Sequence, residues 1–506
     1  MTAPLPTKVL PQDEFNQKLV ENAHPPAWIN PKPTGPYNLV VIGAGTAGLV
    51  SAAGAAILGA RVALVERHLM GGDCLNFGCV PSKALIRAAR AACAVTEAQE
   101  FGVDASMGEI RFAEVMRRVR RVRAEISPHD SVERFRGFGV DVYLGEAQFL
   151  NGKSIEVASE RLEFHKAIIA TGARPTDAPV PGLDKIGFFT NETIFSLVEL
   201  PKRLIVIGAG PIGCELAQSF ARLGSQVSLL SDGNTLLPRE DPDAVAILAQ
   251  QFKREEIAML LGARIQRAET SREGKTLVFD RGGGDERISG DAILVAVGRT
   301  PNVEGLNLEA ASVKYDKKGV IVDDHLRTSN TNIYAAGDIC SRYKFTHAAE
   351  ALGRIALQNA LFFGRKRASD LVIPWSTYTD PEIAHVGMYE KDAQAAGLAV
   401  ETFALPFEDN DRAVIDGEVN GLARILTTKK DGRVIGATLV SRHAGESIGE
   451  LVLAIQRKLK IGELGGVIHP YPTQAEIIKR LGDLSLRSRL KPWMKRLLVR
   501  FFQWRR

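Results

Sequence analysis

Short apolar runs alternate with longer stretches of helical periodicity through the first two thirds of the chain. Tyr37–Ile42 and Arg203–Ile207 are such runs, and each is followed by a glycine-rich turn and then an amphipathic or Ala-rich stretch. A further apolar run follows each stretch, at 61–65 and 226–230. Continuous apolar runs are typical of buried parallel strands, and their alternation with helices indicates βαβ units. The pattern therefore predicts two α/β domains.

The turn after the first run fits a dinucleotide-binding fingerprint. Gly43 permits the tight turn, Gly45 lets the backbone approach a pyrophosphate, and Gly48 lets the helix pack closely on the strand. The next strand ends in Glu66, eighteen residues after Gly48. A carboxylate at this position accepts hydrogen bonds from a ribose diol.

The second turn repeats the fingerprint with Gly208, Gly210 and Gly213, so the chain is expected to bind two dinucleotides. Ser231 stands where the first fingerprint has its acid, and Asp232 follows it. Because Asp232 would repel a 2′-phosphate and no Arg is adjacent to bind one, NADH is favoured slightly, while NADPH stays open.

Three other apolar segments end in turns suited to nucleotide domains. The run at 164–169 leads to Thr171 and Gly172, and the run at 292–297 leads to Gly298. A third strand, near 331–336, ends in Asp338. Two interpretations of Asp338 stay open: a hydrogen bond to a ribityl hydroxyl, or a cap on the helix predicted to start near 346.

Two cysteines, Cys74 and Cys79, have four residues between them and open a helix predicted over about 82–94. The N-terminus of that helix favours a thiolate on Cys79. A structural disulfide or a metal pair is the alternative. No second Cys/His pair lies at zinc spacing, however, and disulfides in cytosolic proteins are usually catalytic. The pair therefore predicts a redox-active disulfide beside a flavin.

Length and composition are those of a globular protein with several domains: 506 residues, 45% of them hydrophobic. Residues 1–36 contain no apolar run that resembles a signal peptide, and no segment reaches the length of a membrane span. A cytoplasmic protein is expected. The basic stretch 111–123 is interpreted as a solvated helix face, and no nucleic-acid motif accompanies it.

The net charge of +5 hides a basic C-terminus. Residues 480–506 hold nine of the 64 Lys and Arg residues and one of the 59 acidic residues, so the remainder of the chain is slightly acidic. Leucines and aromatic residues are interleaved with these cations, and an amphipathic helix is predicted from about Pro492 onward. Packing on a partner subunit and peripheral contact with an anionic membrane are both open for this tail.

Taken in order, these motifs resemble the pyridine nucleotide-disulfide oxidoreductases, FAD-containing homodimers that include lipoamide dehydrogenase, glutathione reductase and mercuric reductase. The resemblance covers about 37–481. It implies an α/β fold with two Rossmann-like domains and a C-terminal α+β dimerisation domain. The expected division is an N-terminal extension (1–36), the first part of the FAD domain (37–180), an NAD(P) domain (181–300), the second part of the FAD domain (301–370), the dimerisation domain (371–482) and a basic amphipathic tail (483–506).

The resemblance also implies roles for individual residues. The first fingerprint would hold FAD, Lys83 would contact the flavin near N5, and Glu215 would pair with Lys83. Cys79 would be the flavin-proximal charge-transfer thiol, and Cys74 the interchange thiol that meets the acceptor. No structural metal is expected, although both cysteines would serve as transient ligands of a metal-ion substrate.

Tyr471 indicates which class of electron acceptor the enzyme uses. Lipoamide and glutathione reductases carry a histidine at this position, which reaches across the dimer to shuttle a proton, with a glutamate that Glu476 matches. Tyrosine is a poor proton shuttle at neutral pH. His469 is the alternative proton shuttle, but it would lie roughly 7 Å from the position of Tyr471 along an extended segment. Mercuric reductases resemble this chain in having Tyr at the position of Tyr471. They also have an N-terminal metal-carrying domain and a C-terminal Cys pair, and both features are missing from this sequence.

The sequence therefore predicts an NAD(P)H- and FAD-dependent oxidoreductase that passes electrons through Cys79 and Cys74 to an acceptor, foremost a soft metal ion such as Hg(II). The alternatives are a dihydrolipoamide dehydrogenase-like disulfide reductase, a quinone reductase at the membrane surface and, least favoured, a non-catalytic flavoprotein.

Overall fold

Residues 9–506 are described by a computed structural model of the chain. Its first helices are α1 (Glu14–Ala23), α2 (Thr46–Ile57), α3 (Gly72–Asn76), α4 (Cys79–Glu97), α5 (Phe112–Ile126), α6 (Val132–Gly137), α7 (Leu183–Ile186) and α8 (Pro211–Arg222). They are followed by α9 (Pro242–Arg254), α10 (Thr346–Leu361), α11 (Glu390–Ala395), α12 (Asp411–Ile415), α13 (Ala444–Gln456), α14 (Ile461–Leu464), α15 (Glu476–Ser488) and α16 (Pro492–Trp504).

The strands begin with β1 (Tyr37–Ile42), β2 (Val62–Glu66), β3 (Val140–Leu144), β4 (Ala147–Asn151), β5 (Ser154–Val157), β6 (Glu160–Ile169), β7 (Ala173–Pro175), β8 (Arg203–Ile207), β9 (Gln226–Ser231), β10 (Ala258–Leu261), β11 (Arg264–Ser271) and β12 (Gly274–Asp280). They continue with β13 (Asp285–Gly290), β14 (Ala292–Val295), β15 (Arg299–Pro301), β16 (Tyr315–Asp316), β17 (Gly319–Val320), β18 (Ile333–Ala335), β19 (Pro374–Thr377), β20 (Glu382–Gly387), β21 (Val400–Pro406), β22 (Leu422–Thr428) and β23 (Val434–Ser441).

The first sheet is built on parallel strands from three segments of the chain. Its order is β3-β2-β1-β6-β5-β4, with β18 also paired to β6. Strands β1, β2, β3, β6 and β18 pair with one another in parallel, whereas β5 is antiparallel to both β6 and β4. Five of the six residues of β1 are buried, as expected for a strand covered on both faces. On one face, α10 approaches α2 so closely that a Cβ at Gly353 would lie 2.7 Å from the Ala47 carbonyl oxygen.

A second parallel sheet, with the order β10-β9-β8-β14, carries the second fingerprint, and the antiparallel sheet β11-β12-β13 lies between β10 and β14 in the chain. The two parallel sheets arise where the apolar runs predicted them. Strand β14 ends at Val295, two residues earlier than the predicted run, because the chain turns there toward Gly298.

Contacts divide the chain into two compact units, and the second comprises 236–255 and the residues from 372 onward. It contains the antiparallel sheet β19-β20-β23-β22-β21 and a core that includes apolar residues of α13 and α15. The Glu240 carboxylate, buried in this unit, accepts hydrogen bonds from Trp375 Nε1 at 2.7 Å and from the Tyr389 hydroxyl at 2.6 Å. Together, the α/β sheets and this antiparallel domain confirm the predicted fold class.

The basic stretch at 111–123 is solvated only in part, and the interpretation as a solvated face is wrong for two of its arginines. Arg120 and Arg123 are buried on α5, only 6% and 3% exposed, because α1 covers them. Arg120 pairs with Asp13 at 2.5 Å, and Arg123 donates to the Asn76 carbonyl at 2.7 Å and to the Asn16 side chain. The N-terminal extension therefore supplies hydrogen-bonding partners for these arginines that the sequence of α5 alone does not indicate.

The same extension continues along the edge of the first sheet. Asn30 accepts a hydrogen bond from the Leu144 backbone N–H at 2.8 Å and donates one to the Leu144 carbonyl at 3.0 Å. Trp28 Nε1 donates to the Val142 carbonyl at 3.2 Å. These bonds satisfy the exposed backbone groups of the edge strand β3. Within the described residues, no helix is both long and apolar enough to cross a membrane.

Candidate active site

The first fingerprint has the geometry of a phosphate-binding turn. Gly43 has φ +102°, and a Cβ there would lie 2.4 Å from the Ala170 carbonyl oxygen, so only glycine fits. A Cβ at Gly48 would lie 1.8 Å from the Gly43 oxygen, which explains the close passage of α2 over the turn. At Gly45, which caps α2, the nearest atom to an added Cβ is 3.8 Å away. The space above Gly45 therefore forms a cradle at a helix N-terminus, where a pyrophosphate fits.

Glu66 lies at the end of β2 and is buried. Its Oε2 accepts the backbone N–H of Ala44 at 2.7 Å, and its Oε1 accepts that of His68 at 2.7 Å. Burial raises the pKa of Glu66, and the two backbone N–H bonds oppose that rise. Because each carboxylate oxygen accepts more than one hydrogen bond, Glu66 can also bind a ribose diol beside the turn.

The loop that carries the two cysteines is held in place through Asp73. The Asp73 carboxylate lies 3.1 Å from Arg299 Nη1 and accepts a hydrogen bond from Asn191 Nδ2 at 3.1 Å. A Cβ at Gly78 would lie 2.8 Å from Asp73 Oδ2, so the chain passes directly beneath this carboxylate. Asp73 and Arg299 stand within motifs that the sequence singled out, but their pairing depends on a contact across more than 200 positions.

Cys79 is the first residue of α4 and is exposed, while Cys74 is half-buried in α3, and both are free thiols in the structure. The pKa of Cys79 is lowered to about 6: the hydrogen bond from Cys74 contributes most, the Lys83 ammonium and Thr346 also lower it, and desolvation opposes them. The same hydrogen bond and burial raise the pKa of Cys74. One proton is thus retained on Cys74, and the thiolate resides on Cys79.

Thr346 is a residue that the sequence did not indicate as part of the site. Its hydroxyl lies 3.3 Å from Cys79 Sγ, and it is the first residue of α10. Thr346 and Cys79 are 267 positions apart in the chain, so no local pattern could have identified the contact.

Lys83 and Glu215 form an ion pair of 2.8 Å between α4 and α8. The Lys83 side chain is 35% exposed, whereas that of Glu215 is 7% exposed. The ammonium lowers the pKa of Cys79 and the carboxylate raises it, so the pair sets the charge beside the thiolate.

The turns at the ends of β6 and β14 meet near this loop. The Thr171 hydroxyl donates to the Asn302 carbonyl at 2.9 Å, and Gly172 and Gly298 have φ values of +67° and +138°. Thr176 donates its backbone N–H to the Gly298 carbonyl at 3.0 Å. These glycines allow the chain to reverse where it passes between the two parallel sheets.

Asp338 lies three residues after the end of β18 and is half-buried, and desolvation raises its pKa. Its Oδ2 lies 3.7 Å from Arg299 Nε, an atom that is buried without a hydrogen-bond partner among the described residues. Helix α10 has no side-chain cap, so the capping interpretation of Asp338 is wrong. A half-buried carboxylate, which accepts hydrogen bonds from hydroxyls, beside an unsatisfied guanidinium nitrogen fits a polar cofactor with hydroxyl and phosphate groups such as FAD.

The second fingerprint reproduces the first. Gly208 has φ +114°, with an added Cβ 2.4 Å from the Ala296 oxygen, and a Cβ at Gly213 would lie 1.9 Å from the Gly208 oxygen. Nothing lies within 4 Å of an added Cβ at Gly210. At the end of β9, the Ser231 hydroxyl accepts the Gly233 N–H at 3.2 Å, and Asp232 is exposed.

Tyr471 and Glu476 lie in the second compact unit. Tyr471 is 68% exposed, and its hydroxyl donates to Asp411 Oδ2 at 2.8 Å, a hydrogen bond that raises the pKa of Tyr471. Glu476 is the first residue of α15. His469 Nε2 lies 2.8 Å from the Glu450 carboxylate, and the His469 side chain is only 7% exposed. The imidazole is therefore already engaged by a residue of the same unit.

Metal-ligand clusters are absent between residues 9 and 506, where no group of three or more His, Cys, Asp or Glu side chains could hold an ion. The two cysteines are thus the soft donors that lie together in the candidate site.

Comparison with known proteins identifies the family and supports the fold. The family model described as pyridine nucleotide-disulphide oxidoreductase matches residues 37–353, and its dimerisation domain matches 373–481. A mercuric reductase of Staphylococcus aureus is 34% identical over 446 residues, covering 88% of this chain and 82% of that protein. A dihydrolipoyl dehydrogenase of Geobacillus stearothermophilus is 34% identical over 460 residues, covering 88% and 96%.

A solved structure is also similar: the Cu(II) complex of the HOCl-induced flavoprotein disulfide reductase RclA from Escherichia coli. It has a TM-score of 0.77 and 27% identity, over 87% of this chain and 98% of that chain. The dimerisation-domain match supports a homodimer. These matches confirm the predicted family, fold class and cofactors. The chain belongs to the pyridine nucleotide-disulphide oxidoreductases, FAD-dependent flavoproteins that take electrons from NAD(P)H.

Proposed function

We propose that the chain reduces a soft metal ion, foremost Hg(II), with electrons that pass from NAD(P)H through FAD and the Cys79/Cys74 pair. The observation that carries this proposal is the state of the two thiols: a Cys79 thiolate with a pKa of about 6 beside a protonated Cys74. Adjacent sulfur donors are preferred by soft cations, which displace the remaining thiol proton when they bind.

Bound FAD would supply the redox centre that accepts hydride from NAD(P)H and reduces the cysteine pair. The residues proposed to hold it belong to 37–180 and 301–370: Gly43, Gly45, Gly48, Glu66, Lys83, Thr171, Gly172 and Asp338. The residues proposed to hold NAD(P)H are Gly208, Gly210, Gly213, Ser231, Asp232 and Gly298. Lys83, paired with Glu215, is proposed to place a positive charge beside both the flavin and the Cys79 thiolate.

The overall reaction balances without a proton donor in the protein. NAD(P)H supplies two electrons to Hg(II), which leaves as Hg(0), and one proton is released with NAD(P)⁺. When the ion binds, Cys74 loses its proton and both sulfurs act as thiolate ligands. Reduction of a disulfide, by contrast, requires a proton for each leaving thiolate.

The C-terminal residues support a metal acceptor over a disulfide. The hydrogen bond to Asp411 raises the pKa of Tyr471, which makes the phenol a still weaker acid, and His469 is engaged by Glu450. Tyr471 is therefore not suited to shuttle protons at neutral pH. We propose that Tyr471 of the partner subunit, with Glu476 of the partner subunit, completes the site and orients the bound ion.

The names of similar proteins support both a metal ion and a disulfide as the electron acceptor. A mercuric reductase and a dihydrolipoyl dehydrogenase are equally identical to this chain, at 34%. The Cu(II) complex of the similar flavoprotein makes copper a second ion to test. Dihydrolipoamide dehydrogenase-like activity is the second candidate function.

The deciding experiment is anaerobic reduction of the holoenzyme with NADH or NADPH, followed by reoxidation with Hg(II), Cu(II), lipoamide, glutathione disulfide or a quinone. We expect Hg(II) to reoxidise the enzyme fastest and lipoamide to react slowly. The variant Tyr471→His should gain lipoamide activity, because it restores the proton shuttle, while Tyr471→Phe should not. Rapid reoxidation of the unaltered enzyme by lipoamide would favour the second candidate and contradict a metal acceptor.

A further inference from the structure

The C-terminal helix α16 has no role in the proposed chemistry and lies beyond the residues that the family models match. None of its residues is buried in the described chain, although it includes two tryptophans and two phenylalanines. Trp493, Leu497, Phe501 and Trp504 are 53%, 55%, 45% and 82% exposed. An exposed set of this size on one short helix indicates an interaction surface.

The apolar residues share one face. Steps of four, four and three residues separate Trp493, Leu497, Phe501 and Trp504, which aligns them along one side of a helix. Arg496, Val499 and Gln503 follow steps of three and four on the opposite side. Helix α16 is therefore amphipathic, with three of its four aromatic residues on this apolar face.

The charge around this face identifies the partner's chemistry. Residues 487–506 contain eight Lys and Arg residues and no Asp or Glu, whereas the chain before residue 480 is slightly acidic. An amphipathic helix with aromatic residues on one face and cations on the other fits the boundary between headgroups and acyl chains of an anionic bilayer. Tryptophan prefers that boundary because its ring is apolar and its N–H is polar.

We propose that α16 docks the enzyme on an anionic lipid surface, with the face defined by Trp493, Leu497, Phe501 and Trp504 inserted among the headgroups. Pro492 at the first helical position starts the helix at the point where this face begins. The lysines and arginines remain among the phosphates, to which their long side chains extend. The contact is peripheral and reversible, since α16 is too short to span a bilayer.

The test is flotation of the full-length holoenzyme with vesicles of phosphatidylcholine, either alone or mixed in equal parts with phosphatidylglycerol. Leu497→Glu/Phe501→Glu places two negative charges on the apolar face. Val499→Glu/Gln503→Glu places the same two charges on the opposite face and is the matched control. We expect the first variant to lose roughly tenfold or more of its recovery with anionic vesicles, and the control to retain most of it.

Two further measurements separate lipid docking from other occupants of this face. The fluorescence of Trp493 and Trp504 should shift to shorter wavelength with anionic vesicles, and added salt should weaken binding. Both variants should keep the NADH oxidation rate and the dimeric sedimentation of the unaltered enzyme. Equal recovery with neutral and anionic vesicles, or equal loss in both variants, overturns the proposal. Dissociation of only the first variant into monomers would instead assign the face to the partner subunit.

Discussion

The hydrogen bond from Cys74 is the largest contribution that lowers the pKa of Cys79, and it can be removed without touching Cys79. In Cys74→Ala the donor is lost, whereas in Cys74→Ser a hydroxyl donor remains at the same place. Neither variant can form the disulfide, so in both the Cys79 thiol can be titrated beside oxidised flavin. The alanine variant should have the higher Cys79 pKa.

The size of the shift follows from the strength of the bond. A hydrogen bond to a charged group contributes about 1.5–3 kcal/mol, and one pKa unit corresponds to about 1.4 kcal/mol. The pKa of Cys79 should therefore rise from about 6 to roughly 7–8 in Cys74→Ala. At pH 7 the thiolate fraction would fall from about 90% to roughly 10–50%. The thiolate is present above the pKa and is lost as pH falls through it.

The assay is the long-wavelength charge-transfer absorbance of each variant holoenzyme between pH 5 and pH 9, with Cys79→Ser as the blank. Cys74→Ser should titrate near pH 6, and Cys74→Ala should titrate one to two units higher. The rate of alkylation by iodoacetamide should follow the same curves, since only the thiolate reacts. Coincident titrations of the two variants, or a charge-transfer band that persists in Cys79→Ser, would refute the assigned roles of the two cysteines.

The ion pair and the second fingerprint give further predictions. Lys83→Met should raise the pKa of the redox-active thiolate and Glu215→Gln should lower it, as the same absorbance titration would show; shifts of equal sign would contradict the charge argument. Gly213→Ala should destabilise the fold by about 1–3 kcal/mol in thermal unfolding, because the added methyl group meets a backbone oxygen. Gly210→Ala has space for its methyl group, so it should keep the melting temperature and instead raise KM for NAD(P)H; an unchanged KM would place the pyrophosphate elsewhere.

The parts of the fold predicted correctly from the sequence depend on local patterns. The strand, turn and helix from Tyr37 to Ile57 and from Arg203 to Arg222 follow from apolar runs joined to glycine-rich turns, in which the first and last glycine have no room for a side chain. The placement of Cys79 at the start of a helix is local too. The predicted helix near 82–94 was shorter than α4, because its first and last turns depend on contacts outside the pattern.

The missed features depend on contacts between distant segments. Arg123 resembles a solvated residue on its own helix, but α1, more than a hundred positions away, buries it. Thr346 reaches Cys79 across 267 positions, and Arg299 reaches Asp73 across a similar span. The backbone bonds of Asn30 to β3 likewise join segments 114 positions apart. Residue type and spacing carry no information on such pairs, because the crossover connections of the sheets bring them together.

The most direct test of the account is an anaerobic titration of the purified enzyme with NADH, followed by its absorbance spectrum. The flavoprotein should accept two electron pairs, one for the cysteines and one for FAD. The first pair should produce the charge-transfer absorbance of the Cys79 thiolate, and Cys79→Ser should lack that absorbance. A protein that binds no flavin, or whose flavin is fully reduced by a single electron pair, would contradict the central claim that electrons leave through Cys79 and Cys74.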